Sequence, residues 1–138
     1  IDQPRADSIH LNVDGYKTAG ARLAKVVLEG SYGQPQSLGP QLVSVRFATG
    51  SKSKIVITYD KAVTGGATSL YRVTDGNVPA TITNVTTVDT TVTLTVANKL
   101  SAKAVVGYGT TRSNAPTLVK AVDGAGPALC FWNVPIAP

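Results

Sequence analysis

The stretch Thr91-Val92-Thr93-Leu94-Thr95-Val96 decides the fold, because apolar and hydroxyl side chains alternate strictly along it. That is the period of a strand with one face in a core and the other in water. Val92, Leu94 and Val96 are expected inward, and Thr91, Thr93 and Thr95 outward. Working outward from this strand, the same grammar recurs. Val43, Val45 and Phe47 alternate with Ser44 and Arg46, and Ile55, Ile57 and Tyr59 alternate with Val56 and Thr58. Between them Thr49-Gly50-Ser51-Lys52-Ser53 reads as a hairpin loop. Leu70 to Thr74 and Val78 to Thr83 join through Asp75-Gly76-Asn77, a strong short-range turn signal. With Ala104 to Tyr108 and Ala128 to Trp132 the set comes to about seven short strands, the pattern of an antiparallel β-sandwich. The predicted module covers residues 42–138. Its exposed threonine rows fit a solvated sheet face, and such a face can also bind sugar. The long connection from Thr110 to Pro127 is expected to be functional or packed onto a neighbour.

Upstream the period changes. Gly-Ser-Tyr-Gly-Gln-Pro-Gln-Ser-Leu-Gly-Pro-Gln over residues 30–41 carries three Gly and two Pro, too many for either regular element, and reads as a linker. Before it, Tyr16, Ala19, Gly20, Leu23, Val26 and Val27 recur at the spacing of one helical face, with Lys17, Arg22 and Lys25 on the remainder. Asn12 suits an N-cap, Asp14 the positive end of the helix dipole, and Gly30 a C-terminal stop. The pattern predicts a helix from about Val13 to Leu28 within a first segment, residues 1–29. Gly20 inside it suggests close approach to another backbone. The lead-in is irregular: Pro4 prevents an early helix, and Ile9 and Leu11 flank His10 as apolar anchors.

Composition narrows the function classes. A hydrophobic fraction of 43% is enough to build a packed core, so the chain is not a disordered tail. Charged residues are only 15%, with Thr, Val, Gly and Pro abundant, which favours strands and turns over surface helices. The net charge of +5 is spread along the chain, with Lys52 and Lys54 its tight pair and no interleaved aromatics, so no nucleic-acid footprint is formed. No apolar run approaches the roughly 18 residues of a membrane span, and no signal peptide opens the chain. Neither nucleic acid nor membrane is an expected partner. The single cysteine, Cys130, has no internal disulfide partner, and its neighbours Leu129, Phe131 and Trp132 suggest a buried structural thiol. The chain opens on Ile and contains no Met, which suits a processed product or an excised fragment. Asn84-Val85-Thr86 is a glycosylation sequon only in a eukaryotic secreted protein, and is most simply chance.

The candidate chemistry lies in Asp7-Ser-Ile-His10-Leu-Asn-Val-Asp-Gly-Tyr16, which holds the only histidine with a carboxylate three residues before it. Such a pair can form two thirds of a hydrolytic triad, with the imidazole as general base and the carboxylate fixing its tautomer and stabilising the imidazolium. The nucleophile is missing: no stretch offers a strand-to-helix nucleophile turn. One His without a cluster of Cys or paired carboxylates supplies too few ligands for a metal, and no cofactor is implied.

Asp7-x-x-His10-Leu, then Gly15-Tyr16, then a helix with Gly20, Arg22 and Leu23, resembles the last conserved block of the SGNH (GDSL-like) hydrolases, nearest to their sialate O-acetylesterase-like carbohydrate esterase branch. Gly107-Tyr108-Gly109, Asn114-Ala-Pro-Thr-Leu-Val, Asp123-Gly-Ala-Gly-Pro-Ala and Phe131-Trp132-Asn133 are similar to the terminal β module of such esterases. The resemblance implies a mainly β chain in which the sandwich follows a loop and one helix left from an α/β hydrolase domain. It implies that His10 takes the proton of a serine hydroxyl and that Asp7 holds its ring. The family's serine sits in a Gly-Asp-Ser block, and its oxyanion hole uses further Gly and Asn residues; neither block is present, and Ser8 has none of the serine block's surroundings. The chain alone is therefore expected to be inert, with an acetylated carbohydrate and the remainder of a parent hydrolase as partners, in an extracellular or virion-associated setting. The alternative reading is a non-catalytic carbohydrate-binding or fibre-tip β module of a phage tail protein.

Overall fold

The computed structural model describes residues 5–7, 10–36, 38–109 and 118–138. They divide into two units, Ile1–Leu38 and Gly39–Pro138.

The first unit is built around α1, Val13–Tyr32. Asn12 caps it in extended conformation, its Oδ1 accepting the Gly15 amide at 2.9 Å, so the N-terminal signal is read as written. The C-terminal expectation needs correction. The helix runs through Gly30 and stops at Gly33, whose φ of 63° is the left-handed conformation that lets the chain turn away. The amides of Gly33 and Gln34 then donate back to the carbonyls of Glu29 and Leu28. Gly30 merely weakens a helix it does not end, and the first residues of the expected linker are helical. Tyr16, Leu23, Val26 and Val27, which define the apolar stripe, are all exposed. A Cβ placed on Gly20 meets nothing within 4 Å, so the expected close backbone approach is absent among the described residues.

The second unit is an antiparallel β-sandwich. One sheet has the order β1-β2-β7-β6, formed by Leu42–Ala48, Ser51–Tyr59, Thr91–Val96 and Ile82–Val88. The other has the order β10-β8-β4-β5, formed by Phe131–Pro135, Ala104–Tyr108, Tyr71–Asp75 and Val78–Ala80. A short pair, β3 (Val63–Thr64) and β9 (Lys120–Ala121), and a 3-10 turn at Thr68–Leu70 complete the described elements. Val45, Phe47, Ile55, Ile57, Tyr59, Val92, Leu94 and Val96 from the first sheet are buried, as are Tyr71, Val73, Ala104, Val106 and Tyr108 from the second. Within each sheet these residues pair in register: Ile55 with Leu94, Ile57 with Val92, Val73 with Val106. Each buried Ile or Leu adds about 2 kcal/mol from area removed from water.

Strand β7 follows the alternation expected of it, with Val92, Leu94 and Val96 buried and the three threonines half-exposed. The Gly76-Asn77 turn between β4 and β5 has φ of 56° and 74° at its two central residues, the geometry of a type I′ hairpin. Elsewhere pairing overrides pattern. The segment read as one strand, Val78 to Thr83, breaks at Thr81: β5 pairs with β4 in one sheet and β6 with β7 in the other. A register shift between Leu42 and Ser44 turns Val43 outward, 62% exposed, although it alternates in sequence with Val45 and Phe47. The last strand is displaced to Phe131–Pro135, leaving Cys130 exposed rather than buried. Beyond it, Ile136 donates to Ala104, Ala137 donates to Val45, and Phe47 donates to Ala137. The C-terminal segment thus crosses from the second sheet and pairs with the edge of the first.

A tyrosine cluster fills the middle of the core. The rings of Tyr71 and Tyr108 lie 5.1 Å apart and those of Tyr108 and Phe131 5.8 Å apart. Tyr108 Oη accepts the Val119 amide at 2.9 Å, which anchors the described part of the long connection to the core. Residues 110–117 of that connection, and with them most of the Asn114 motif, lie outside the described residues. The Tyr59 and Tyr71 hydroxyls are buried near enough to interact, yet without the geometry of a hydrogen bond, and burial raises both phenols far above their usual range.

Candidate active site

The site is a tight turn that leads into α1. Arg5 and Leu11 form an isolated antiparallel bridge, and the Ala6 amide donates to the His10 carbonyl at 2.9 Å. Inside this turn the Asp7 carboxylate reaches forward across three residues. Oδ1 accepts the His10 backbone amide at 2.7 Å, and Oδ2 lies 2.7 Å from His10 Nδ1. One carboxylate therefore holds both the backbone and the ring of the same histidine. Two residues later Asn12 caps the helix, so the turn is fixed at its far side by a regular element. Ser8 and Ile9, between the pair, and Pro4 before it lie outside the described residues.

The contact has a definite chemical sense. A carboxylate at Nδ1 selects the tautomer with hydrogen on Nδ1, which leaves Nε2 as a proton acceptor. The side chains of His10 and Asp7 are 61% and 54% exposed, so in stability terms the contact is worth no more than a surface pair. Its effect is orientation: one carboxylate fixes both the direction of the ring and its tautomer. The spacing of the pair was legible in sequence, and the structure brings its two members together as the spacing suggests. Among the described residues no three His, Cys, Asp or Glu side chains gather in a way that would hold a metal ion, and no helix is long and apolar enough to cross a membrane.

One further arrangement lies on the second sheet. Trp132 is 53% exposed and carries the guanidinium of Arg72 over its ring. The two residues are far apart in sequence and meet only through strand order, so no local signal marks them.

No protein-family model matches the chain, and no curated protein matches it in sequence. A carbohydrate acetylesterase from Xanthomonas citri, known from its crystal structure, is similar over 94% of this chain with a TM-score of 0.66 and 20% sequence identity. The match spans 30% of that protein's chain. This chain, a helix and an antiparallel β-sandwich, thus shares its fold with part of a carbohydrate acetylesterase.

Proposed function

We propose that the chain is the base-bearing C-terminal part of an SGNH-type serine carbohydrate O-acetylesterase, extracellular or virion-associated, with the β-sandwich as its accessory module. The single observation that carries the reading is the doubly held histidine, with Asp7 at 2.7 Å from both the amide and Nδ1 of His10. The fold shared with part of a carbohydrate acetylesterase supports it at a coarser level.

In this reading His10 Nε2 takes the proton from a serine hydroxyl supplied by another part of the parent protein. The serine oxygen attacks the acetyl carbonyl, and the protonated imidazole returns its proton to the departing sugar oxygen. Asp7 stabilises the imidazolium between these two transfers. A water molecule deprotonated by the same histidine then hydrolyses the acetyl-serine. Proton transfer and oxyanion stabilisation each contribute orders of magnitude, so His10 and Asp7 without serine and oxyanion hole leave the isolated chain inert.

The test is made in the full-length parent with p-nitrophenyl acetate and an acetylated polysaccharide. His10→Ala lowers kcat by about three orders of magnitude or more while the β-sandwich stays folded, and Asp7→Asn lowers it by a similar or smaller factor. Turnover unchanged in His10→Ala removes the assignment.

A further inference from the structure

The outer face of the second sheet carries an arrangement that proton transfer at His10 does not use. Strand β10 is bulged: Phe131 pairs with Tyr108 and Val134 with Val106, so Trp132 and Asn133 together stand opposite Gly107. Asn133 takes a φ of 49° to make this bend. On the other side of Gly107, strand β4 supplies Arg72 as its Cα partner. Arg72 is exposed between the buried Tyr71 and Val73, so it points away from the core. Glycine leaves the middle of this row without a side chain, and the guanidinium lies over the indole with Cζ 5.3 Å from the ring centroid. Trp132 is still 53% exposed. Beside Arg72 the surface drops into an open depression of about 270 Å³, lined by Thr68, Ser69, Arg72, Pro79 and Ile82.

We propose that this face is a glycan subsite that takes an acidic polysaccharide. A pyranose ring lies on the exposed part of Trp132, where the electron-rich π face meets the weakly positive axial C–H bonds of the sugar. Arg72, fixed by its stacking on the ring, presents its remaining N–H donors as a planar fork to a uronate carboxylate. The Thr68 and Ser69 hydroxyls border the depression that receives the neighbouring sugar. Charge favours this occupant: no carboxylate among the described residues pairs with Arg72, and the chain as a whole carries +5. The choice of sugar as ligand class rests on the carbohydrate-esterase reading. The platform itself rests on Trp132, Arg72 and Gly107.

Trp132 is the only tryptophan in the sequence, so selectively excited tryptophan emission, unlike that of the five tyrosines, reports on this face alone. The chain is titrated with polygalacturonate, with neutral dextran and dextran sulfate as comparisons, and run on native gels cast with each polymer. The expected result is a saturable emission shift and gel retardation with polygalacturonate at physiological salt, with little response to dextran. Arg72→Ala weakens binding by about tenfold, and Trp132→Ala abolishes retardation while unfolding in urea remains cooperative. Absence of any fluorescence change or retardation overturns the proposal. So does retardation that persists in Trp132→Ala, or a response to dextran sulfate as strong as that to polygalacturonate, which marks plain polyelectrolyte attraction. The readout needs no turnover. Binding by the chain with a catalytically silent parent would sink the esterase reading alone, and an active parent without binding would sink this subsite alone.

Discussion

Replacing Gly39 by alanine is expected to destabilise the β-sandwich by about 2–3 kcal/mol, and the figure follows from what surrounds it. A Cβ at this position would lie 2.1 Å from the Pro127 carbonyl oxygen and 3.1 Å from the Pro127 carbonyl carbon. Carbon and carbonyl oxygen come no closer than about 3.3 Å, so the overlap exceeds about 1 Å, and it is with backbone that no rotamer change can move. Pro127 cannot retreat. It bridges to Lys120, and the segment around it is tied by Ala121 donating to Gly126 and Ala128 donating to Val119, each at 2.9 Å. Relief must come from lifting residues 39–41 away. That breaks the bond from the Leu129 amide to the Pro40 carbonyl and uncovers Pro40, one of the fully buried side chains. A lost hydrogen bond of about 1 kcal/mol and the partial exposure of a proline ring at about 1–2 kcal/mol give the total. Urea unfolding followed by far-UV circular dichroism should show a lower midpoint with an unchanged slope, and the melting temperature should fall on the order of 10 °C. A change below about 0.5 kcal/mol would refute the reasoning, since it would mean the two segments part at no cost.

Asp75 accepts hydrogen bonds from the Ser101 hydroxyl and, at 2.7 Å, from the Ser101 amide, which hold its carboxyl below the usual carboxylate range. A depressed folded-state value makes this stabilisation fully present above the unfolded value of about 4 and lost as pH falls through the folded one. Ser101→Ala should therefore be less stable than the parent sequence at pH 7, with the gap narrowing in unfolding curves taken from pH 5 down to about pH 2; a gap independent of pH contradicts the mechanism. Gly20→Ala should raise the stability of α1 by about 1 kcal/mol, read as slower amide exchange along the helix, because the new methyl group meets nothing within 4 Å. Faster exchange would show that Gly20 packs closely after all.

Much of the candidate site could be read from the sequence because its interactions are short in range. Asp7 and His10 are three residues apart, and a carboxylate on that spacing reaches both the amide and the ring without help from the rest of the chain. Asn12 reaches Gly15 by the same local logic. What the sequence does not disclose is the surroundings. The apolar stripe of α1 is plain in the residue pattern, but its exposure is not, since periodicity names a face and says nothing of what covers it.

The sequence by itself determined the β-sandwich class, the β7 alternation, the Gly76-Asn77 hairpin and the N-cap of α1. Each depends on a residue and its near neighbours: a period of two, a pair of positive φ angles, a side chain three residues from an amide. Only the tertiary structure decided that the chain changes sheets at Thr81, that Val43 turns outward at a bulge, and that Gly39 is pressed against Pro127. It alone exposed Cys130 and brought Arg72 over Trp132. These features are fixed by which strand pairs with which, and in what register. Strand pairing joins residues distant along the chain, so the neighbours of any one of them in sequence carry too little information to foretell it.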